Sequence, residues 1–201
     1  MTRRLVLASA SPARLATLRA AGVGPEVVVS GVDESQLELT DPAALSVGLA
    51  GLKARAVARD LADALVIGCD SVLAFDGQVH GKPADAGEAR ERWRSMRGAT
   101  GVLHTGHCLV DTASGREVAR SAHTVVHFAD LTDEEIDAYV ATGEPLLVAG
   151  AFTLDGLGGA FVRGIEGDPH TVVGIGLPLL REMFAALGIG WTDLWREFPA
   201  P

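Results

Sequence analysis

The segment at residues 5–14 limits how this chain can fold more than any other. An apolar run over Leu5–Ala8 stops at Ser9, and Pro12 then opens a stretch whose apolar residues recur at helical spacing. Proline is favoured in the first helical turn, because its missing N–H would be unpaired there anyway. The pattern predicts a strand that passes directly into a helix, with Ser11 as the N-cap. Such a turn directs free backbone N–H groups toward one point, which suits a phosphate.

The side chains of this turn strengthen the phosphate interpretation. Ser9 and Ser11 add hydroxyl donors, and Arg14 adds a planar group that is always charged. An ordinary strand-to-helix turn, capped by Ser11 and without a ligand, explains the same residues equally well. Both interpretations stay open on this segment alone.

Composition narrows the class of protein. A chain of 201 residues fits a single domain over 1–201, and 48% hydrophobic residues are enough for a buried core. The net charge of −9 argues against non-specific nucleic-acid binding, and no apolar window is long enough for a membrane span. The two cysteines, Cys69 and Cys108, form no disulfide framework, so we expect a reducing, cytoplasmic location.

Strand-like and helix-like segments alternate until two long strands interrupt them. The predicted strands are 4–8, 26–30, 64–69 (extended on to 75), 102–111 and 117–129. The predicted helices are 12–21, 42–63, 85–96, 131–142 and 178–187, and 149–176 is predicted to be loop. Thr132 and Glu135 predict a capping box at the start of the fourth helix. The order predicts an α/β fold with a mixed sheet flanked by helices.

Asp70 is the first candidate for chemistry. It follows the apolar run 65–69, at the carboxyl end of a predicted strand, where ligands gather in open α/β sheets. A carboxylate there could bind a divalent cation, act as a general base toward water, or attack as a nucleophile. Direct attack has the least support, because Val72 stands where phospho-aspartate enzymes commonly carry a second aspartate. A turn carboxylate or N-cap is the structural alternative.

Four further charged residues complete a set of groups suited to phosphate and metal. Asp33 and Glu34 offer oxygen ligands for a metal, and Lys82, in a Gly-Lys-Pro turn, offers a charge that neutralises phosphate. Lys53 lies in the long predicted helix, where a single lysine is most simply a solvated surface residue. Each signal is modest alone, and together they indicate a phosphate-binding site.

The order and spacing of these motifs resemble one family, the Maf proteins, which are nucleoside triphosphate pyrophosphatases. The resemblance covers nearly the whole chain. The motifs that carry it are LASASPAR (7–14), LAGLKA (49–54), GCDSVL (68–73), GKP (81–83), EARERWRSMRG (88–98) with HTG (104–106), AGAFTLDG (149–156) and GDPHTVVGIGLP (167–178).

This resemblance implies a fold similar to the inosine triphosphatases, with a strongly twisted mixed sheet and a cleft between two lobes. It implies cleavage of a nucleoside triphosphate between the α- and β-phosphates, giving a monophosphate and pyrophosphate and possible clearance of non-standard nucleotides. It also implies that a homodimer is possible.

The resemblance assigns roles residue by residue. Asp70 corresponds to the proton acceptor that activates water. Asp33 or Glu34, together with Asp70, would hold Mg²⁺ or Mn²⁺, so whether Asp70 is base, metal ligand or both stays open. The residues that would hold the triphosphate are Ser9, Ser11, Arg14, Lys53 and Lys82.

Several positions depart from the family pattern. Ala13 replaces the first of two arginines, Phe152 replaces a tyrosine, and Asp155 replaces a glutamine, while Ile175-Gly176 lengthens the terminal Val-Val-Gly-Leu-Pro. If Asp155 contacts the base, the exchange alters recognition, because an ionised carboxylate only accepts hydrogen bonds whereas an amide also donates. The family's base preferences therefore do not transfer to this chain.

A nucleotide-binding regulator of cell division with weak or no hydrolysis is the alternative, supported by Ala13 and Asp155. Hydrolysis of diphosphates or phosphomonoesters would release orthophosphate instead. His123 and His127 are expected to be structural, because the residues between them favour a strand. His104 and His107, in the His-Thr-Gly region, could approach the cleft, but a structural role is the simpler interpretation for both.

Overall fold

The computed structural model describes residues 3–37 and 39–195, which form a seven-stranded mixed sheet flanked by helices. The strands are β1 (Arg4–Leu7), β2 (Glu26–Val27), β3 (Ala64–Phe75), β4 (Gln78–His80), β5 (Thr100–Asp111), β6 (Arg116–Phe128) and β7 (Val162–Glu166). The helices are α1 (Pro12–Ala20), α2 (Pro42–Ala58), α3 (Ala86–Met96), α4 (Asp133–Ala141), α5 (Pro169–Val173) and α6 (Leu177–Ala186). The mixed α/β architecture predicted from the sequence is confirmed.

Strand β3 organises the sheet, whose order is β2-β1-β3-β5-β6-β7. On one edge, β5 pairs antiparallel with β3 from Leu65 to Ala74. On the other edge, β1 pairs parallel with residues 64–67 and β4 pairs antiparallel with residues 73–75. On this second edge, between β1 and β4, residues 68–72 therefore pair with no strand in the described part of the chain, although β5 pairs with them on the first edge. We call this stretch the β3 gap.

Successive side chains of β3 point to opposite faces of the sheet. Leu65, Ile67 and Cys69 pack in a core with α1 and α6, while Ala64 and Val66 pack in a second cluster under α2. Asp70 continues the face covered by α2, and Ser71 continues the face covered by α1 and α6. The β3 gap thus places a carboxylate on one face of the sheet and a hydroxyl group on the other.

Two glycines bring α2 very close to the sheet. A Cβ on Gly106 would lie 2.1 Å from the carbonyl carbon of Ser46, and one on Gly68 would lie 2.2 Å from the carbonyl oxygen of Ala50. Any side chain at these positions would push α2 away. This close packing determines how far the side chains of α2 reach over β3.

A further core surrounds Trp93 of α3. Its ring makes edge-to-face contacts with Phe128, Tyr139 and Phe161, and Leu73 of β3 belongs to the same cluster. Leu65, Ile67 and Cys69 therefore serve one core and Leu73 another. The β3 gap lies at the seam between them, as expected for two lobes that share one strand.

Several predicted boundaries shift. The helix predicted over 42–63 ends at Ala58, and Asp63 adopts a left-handed backbone with φ of 49° that no helix continues. The strand predicted over 26–30 is only Glu26–Val27. The predicted capping box of Thr132 and Glu135 is confirmed.

The region predicted to be loop, 149–176, holds regular structure. It contains strand β7 and the short helix α5, which begins at Pro169 behind the N-cap Asp168. It also contains a 3₁₀ turn over Leu157–Phe161. The glycines of this region masked the Asp-Pro signal that opens α5.

Both cysteines are free and buried. Burial raises the pKa of each thiol, Cys69 and Cys108, to about 12, so neither forms a nucleophilic thiolate at neutral pH. Among residues 3–37 and 39–195, no helix combines the length and hydropathy needed to cross a membrane.

Candidate active site

A lysine between two carboxylates forms the first half of the candidate site. Lys53 lies on the face of α2 that packs on the sheet, and its Nζ contacts Oδ1 of Asp70 and Oε1 of Glu34, the latter at 2.8 Å. The Lys53 side chain is only 12% exposed. The interpretation of a lone helical lysine as a solvated residue is therefore wrong here, because α2 packs too closely for Lys53 to turn outward.

Asp70 lies inside β3, not after it as the sequence predicted, but it lies in the β3 gap beyond the end of β1. Lys53 contacts Oδ1 alone. Within the described residues no hydrogen bond to Oδ2 is seen, and the Asp70 side chain is 12% exposed. One oxygen of Asp70 is therefore fixed by a positive charge, while the other has no partner among the described residues.

Asp33 helps to place Glu34. Its Oδ1 accepts hydrogen bonds from the backbone N–H of Ser35 at 3.1 Å and from the Ser35 hydroxyl at 2.7 Å. Asp33 thereby caps the 3₁₀ turn that begins with Glu34. This short turn presents the Glu34 carboxylate to Lys53.

The donor chemistry here fits a hard divalent cation. Among the described residues, no group of three or more His, Cys, Asp or Glu side chains is arranged around a single point. Glu34 and Asp70 nevertheless converge on one cationic atom, the Nζ of Lys53. Mg²⁺ commonly takes one or two protein carboxylates and completes its shell with water and phosphate oxygens, so two carboxylates are sufficient.

The turn between β1 and α1 forms the second half of the site. Ser11 caps α1 as predicted, its hydroxyl accepting from the backbone N–H of Arg14 at 3.4 Å. The buried Ser9 hydroxyl accepts from the N–H of Ser11 at 3.2 Å and from Nη1 of Arg14 at 3.1 Å. The three predicted residues of this turn therefore form one hydrogen-bonded unit.

Arg14 ties this turn to the rest of the protein. Its Nε donates to the carbonyl of Gly174 at 2.8 Å, and its Nη2 donates to the hydroxyl of Ser71 at 3.3 Å. Gly174 has a φ of 113°, and a Cβ there would lie 3.0 Å from Nε of Arg14, so the close approach favours glycine. Arg14 thus joins α1, β3 and the segment after α5.

Ser71 was missed from the sequence, although it directly follows Asp70. Its hydroxyl lies 2.9 Å from the hydroxyl of Thr105, which in turn donates to the carbonyl of Thr171 at 2.8 Å. This chain of hydroxyls runs across the sheet under α5. The alternation of a strand is the signal that would have found it, because Asp70 and Ser71 must face opposite sides.

Lys82 and Asp155 are exposed, and neither is bonded to the two halves of the site in the described ranges. Their segments are joined to each other, because the carbonyl of Gly81 accepts from the backbone N–H of Gly150 at 3.1 Å. The turn that carries Lys82 therefore touches the loop that leads to Asp155.

Glu144 holds that loop in place and had no signal in the sequence. Its carboxylate accepts from the hydroxyls of Tyr139 and Thr153 and from the backbone N–H groups of Leu157 and Gly158. Burial raises the pKa of Glu144, but these hydrogen bonds outweigh burial and lower it overall. One carboxylate thus fixes the segments on both sides of Asp155.

His107 is fully buried on the α5 and α6 side of the sheet. Its Nε2 accepts from the backbone N–H of Gly176 at 2.8 Å, at the start of α6. Burial lowers the pKa of His107 to about 4, and the charge of Arg14 adds to the shift. His107 is therefore a neutral acceptor at physiological pH. His104 instead lies 5.8 Å, ring to ring, from His123.

The residues gathered at the β3 gap combine hydroxyls and a guanidinium on one face with an ammonium and two carboxylates on the other. This arrangement lies at the carboxyl end of β1, the edge at which α/β proteins bind ligands, and its charged and hydroxyl groups suit a protein that binds phosphate esters. The family model described as Maf-like protein matches residues 4–187. The chain belongs to the Maf-like protein family.

Curated relatives match over almost the whole chain. A nucleoside triphosphate pyrophosphatase from Salinispora tropica is 61% identical, covering 96% of this chain and 87% of that protein. One from Streptomyces coelicolor is 60% identical, covering 96% and 95%. One from Nostoc punctiforme, also named nucleoside triphosphate pyrophosphatase, is 51% identical over 95% of this chain and 97% of its own length.

A solved structure shows a weaker, partial likeness. A nucleoside-triphosphatase, titled a dITP/XTP pyrophosphatase, from Mycobacterium abscessus matches with a TM-score of 0.40 and 19% identity. The match covers 64% of this chain and 75% of that one.

Proposed function

We propose that this protein hydrolyses nucleoside triphosphates between the α- and β-phosphates, giving a nucleoside monophosphate and pyrophosphate. The observation that carries the proposal is the contact of Lys53 with Asp70 and Glu34 at the β3 gap, directly across the strand from Arg14 and Ser71. A chain of phosphates that crosses this gap meets a carboxylate able to activate water on one side and hydroxyl groups on the other. The relatives named above carry the same activity in their names.

Asp70 is the group that activates water. Its second oxygen, Oδ2, accepts one proton from a water molecule as the water oxygen bonds to phosphorus. The bond between that phosphorus and the bridging oxygen breaks, and the second proton of the water stays on the phosphate hydroxyl formed. Lys53 keeps Oδ1 of Asp70 in place and contributes positive charge beside the reacting phosphates.

The phosphates are held from several sides. Ser9 and Ser11 offer hydroxyls at the start of α1, where the backbone N–H groups and helix dipole favour an anion. Arg14 braces this turn through its bonds to Ser9, Ser71 and Gly174 and places a fixed positive charge beside it. Lys82 adds an exposed ammonium for the leaving pyrophosphate.

Glu34 and Asp70 would hold the divalent cation, either Mg²⁺ or Mn²⁺. When bound, the cation supplies neutralisation of the charge shared by neighbouring phosphate oxygens. Lys53 contacts both carboxylates and keeps them close together until substrate arrives. Asp33 supports the turn that presents Glu34 and takes part through that turn.

Asp155 contacts the base in this proposal. It lies on the loop fixed by Glu144, and its carboxylate favours a base edge that presents N–H donors. Discrimination by such a polar match suits an enzyme that removes particular non-standard nucleotides from the pool.

The test incubates the purified protein with Mg²⁺ or Mn²⁺ and a panel of standard and modified nucleoside triphosphates, measuring pyrophosphate and orthophosphate separately. We expect wild-type protein to release pyrophosphate. Asp70→Asn should reduce the rate by about 10²- to 10⁴-fold, the usual contribution of a general base. Asp60→Asn, whose side chain is 77% exposed in a surface ion pair with Arg59, is the matched control and should keep full activity.

Two outcomes would favour the other functions. Tight nucleotide binding without any phosphate release would support the regulator, a candidate favoured by one observation: Ala13 leaves Arg14 as the sole arginine of the turn, and Arg14 already has three protein partners. Orthophosphate as the first product would indicate a diphosphatase or phosphomonoesterase.

A further inference from the structure

The turn that carries Lys82 is short and exposed, so other residues must hold it in shape. Gly81–Pro83 joins β4 to α3, and Lys82 itself is bonded to no other side chain in the described ranges. At the front of this turn, the carbonyl of Gly81 accepts from Nη1 of Arg92 at 2.6 Å. Behind it, the backbone N–H of Ala84 donates to Oε2 of Glu88 at 2.7 Å.

The two residues that hold the turn also bind each other. Glu88 and Arg92 lie one turn apart on α3, and Nη2 of Arg92 donates to Oε1 of Glu88 at 2.5 Å. Each end of the Lys82 turn is thus attached to one member of a single ion pair. The planar guanidinium makes this possible, because its separate N–H groups reach the carbonyl and the carboxylate at once.

Stability alone does not require an arginine at position 92. The Arg92 side chain is only 5% exposed, and the other buried positions of α3 on this face include Ala89, Trp93 and Met96. Its partner Glu88 is 46% exposed, and an ion pair with one member largely in solvent contributes little to stability. Because Arg92 is buried and donates a hydrogen bond to the carbonyl of Gly81, we infer that it positions the backbone of the Lys82 turn.

We propose that Arg92 and Glu88 are positioning residues that fix the turn so that Lys82 meets the phosphates. The proposal rests on the proposed function, since it takes Lys82 to contact the substrate. Holding a charged group in its working geometry before substrate arrives lowers the cost of reaching the transition state, and a shift of about 1 Å can cost about 10²-fold. Gly150 also donates to the Gly81 carbonyl, so the same point joins the turn to the Asp155 loop.

The test is a double-mutant cycle between Arg92→Met and Lys82→Met. We expect Arg92→Met to lower kcat/KM by about 10- to 100-fold with a thermal midpoint close to wild type, and Arg92→Lys to recover part of the loss because lysine can reach one of the two partners. In the Lys82→Met background, Arg92→Met should cost less than about 2-fold, because the group that it positions is already gone.

Arg90→Met is the matched control. Arg90 lies on the same helix, paired with Asp137 on the surface, and its loss should leave kcat/KM unchanged. We call the Glu88–Arg92 pair, with its bonds to the Lys82 turn, the clamp. If Arg92→Met does not fold, Glu88→Gln tests the clamp at a side chain that is 46% exposed. The dissociation constant of an α,β-methylene triphosphate, measured for every variant, gives a readout that needs no turnover.

The results separate the two proposals. The positioning role is overturned if Arg92→Met and Glu88→Gln lower kcat/KM and analogue binding by the same factor whether or not Lys82 is present. It is also overturned if the two substitutions change neither quantity. If Lys82→Met is fully active while Asp70→Asn is not, pyrophosphatase activity stands and the role of Lys82 fails together with the clamp. If wild type releases no pyrophosphate yet the cycle on analogue binding is non-additive, the hydrolytic function fails and the clamp stands.

Discussion

At the scale of single residues, the environment of each side chain decides its role. Lys53 and Lys82 are both lysines, yet Lys53 is nearly buried between two carboxylates while Lys82 is exposed at a turn. The first is suited to holding Asp70 in place and the second to meeting the phosphates from the turn that carries it. Glu144 and Asp155 divide in the same way, one fixing a loop and the other exposed on it.

His107 gives a prediction about pH and stability. Its folded-state pKa of about 4 lies below the ordinary value of 6.5, so between these pH values the unfolded chain binds more protons than the folded protein. The contribution of His107 to the free energy of unfolding is therefore complete above about pH 6.5 and lost as the pH falls toward 4, a loss of about 3 kcal/mol. His107→Gln keeps an acceptor for the N–H of Gly176 and removes the titration.

Urea unfolding of both proteins between pH 7 and pH 4 measures this effect. The free energy of unfolding should fall more steeply for wild type, and the two curves should approach each other at low pH. Parallel curves would show that His107 does not titrate as a buried neutral group.

At the scale of elements, the distance between α2 and the sheet controls the site. Gly68 and Gly106 let the helix backbone lie against β3 and β5, and only this approach brings Lys53 onto Asp70. A helix held one side chain farther out would leave Lys53 in solvent.

Gly106→Ala tests this dependence. Its Cβ would lie 2.1 Å from the carbonyl carbon of Ser46, so α2 must move. We expect about 1–3 kcal/mol of lost stability from overpacking, and a fall in kcat/KM because Lys53 retreats from Asp70. Unfolding by denaturant and steady-state kinetics measure both effects.

Gly164→Ala is the control, because a Cβ on this β7 glycine meets nothing within 4 Å and its φ is not left-handed. Its stability and activity should equal or slightly exceed those of wild type. An active, stable Gly106→Ala protein would contradict the account of α2.

The sequence predicts elements and motifs better than contacts. The β1-to-α1 turn, the Ser11 cap and the Thr132 capping box follow from local residue chemistry, so they could be predicted. The face of Lys53 could not, because it depends on glycines in two distant strands. Arg92 and Glu144 were missed for the same reason: their partners, a carbonyl and a set of backbone N–H groups, have no signature in side-chain identity.

At the scale of the whole molecule, three core clusters share strand β3, and the candidate site lies between the one around Ile67 and the one around Leu73. Leu65, Ile67 and Cys69 are packed in one lobe and Leu73 in the other, which leaves residues 70 and 71 for chemistry. We expect a substrate bound at this seam to contact both lobes. The roles of the individual site residues, the cytoplasmic location and the homodimer stay predictions.

The central claim is that the reaction cleaves the bond between the α- and β-phosphates, and the most direct measurement is ³¹P NMR of the products of a single triphosphate. The account predicts equal amounts of nucleoside monophosphate and pyrophosphate from wild-type protein with Mg²⁺, and unreacted triphosphate with Asp70→Asn. Nucleoside diphosphate together with orthophosphate would contradict this claim. Monophosphate and pyrophosphate released by Asp70→Asn at the wild-type rate would contradict the role of Asp70.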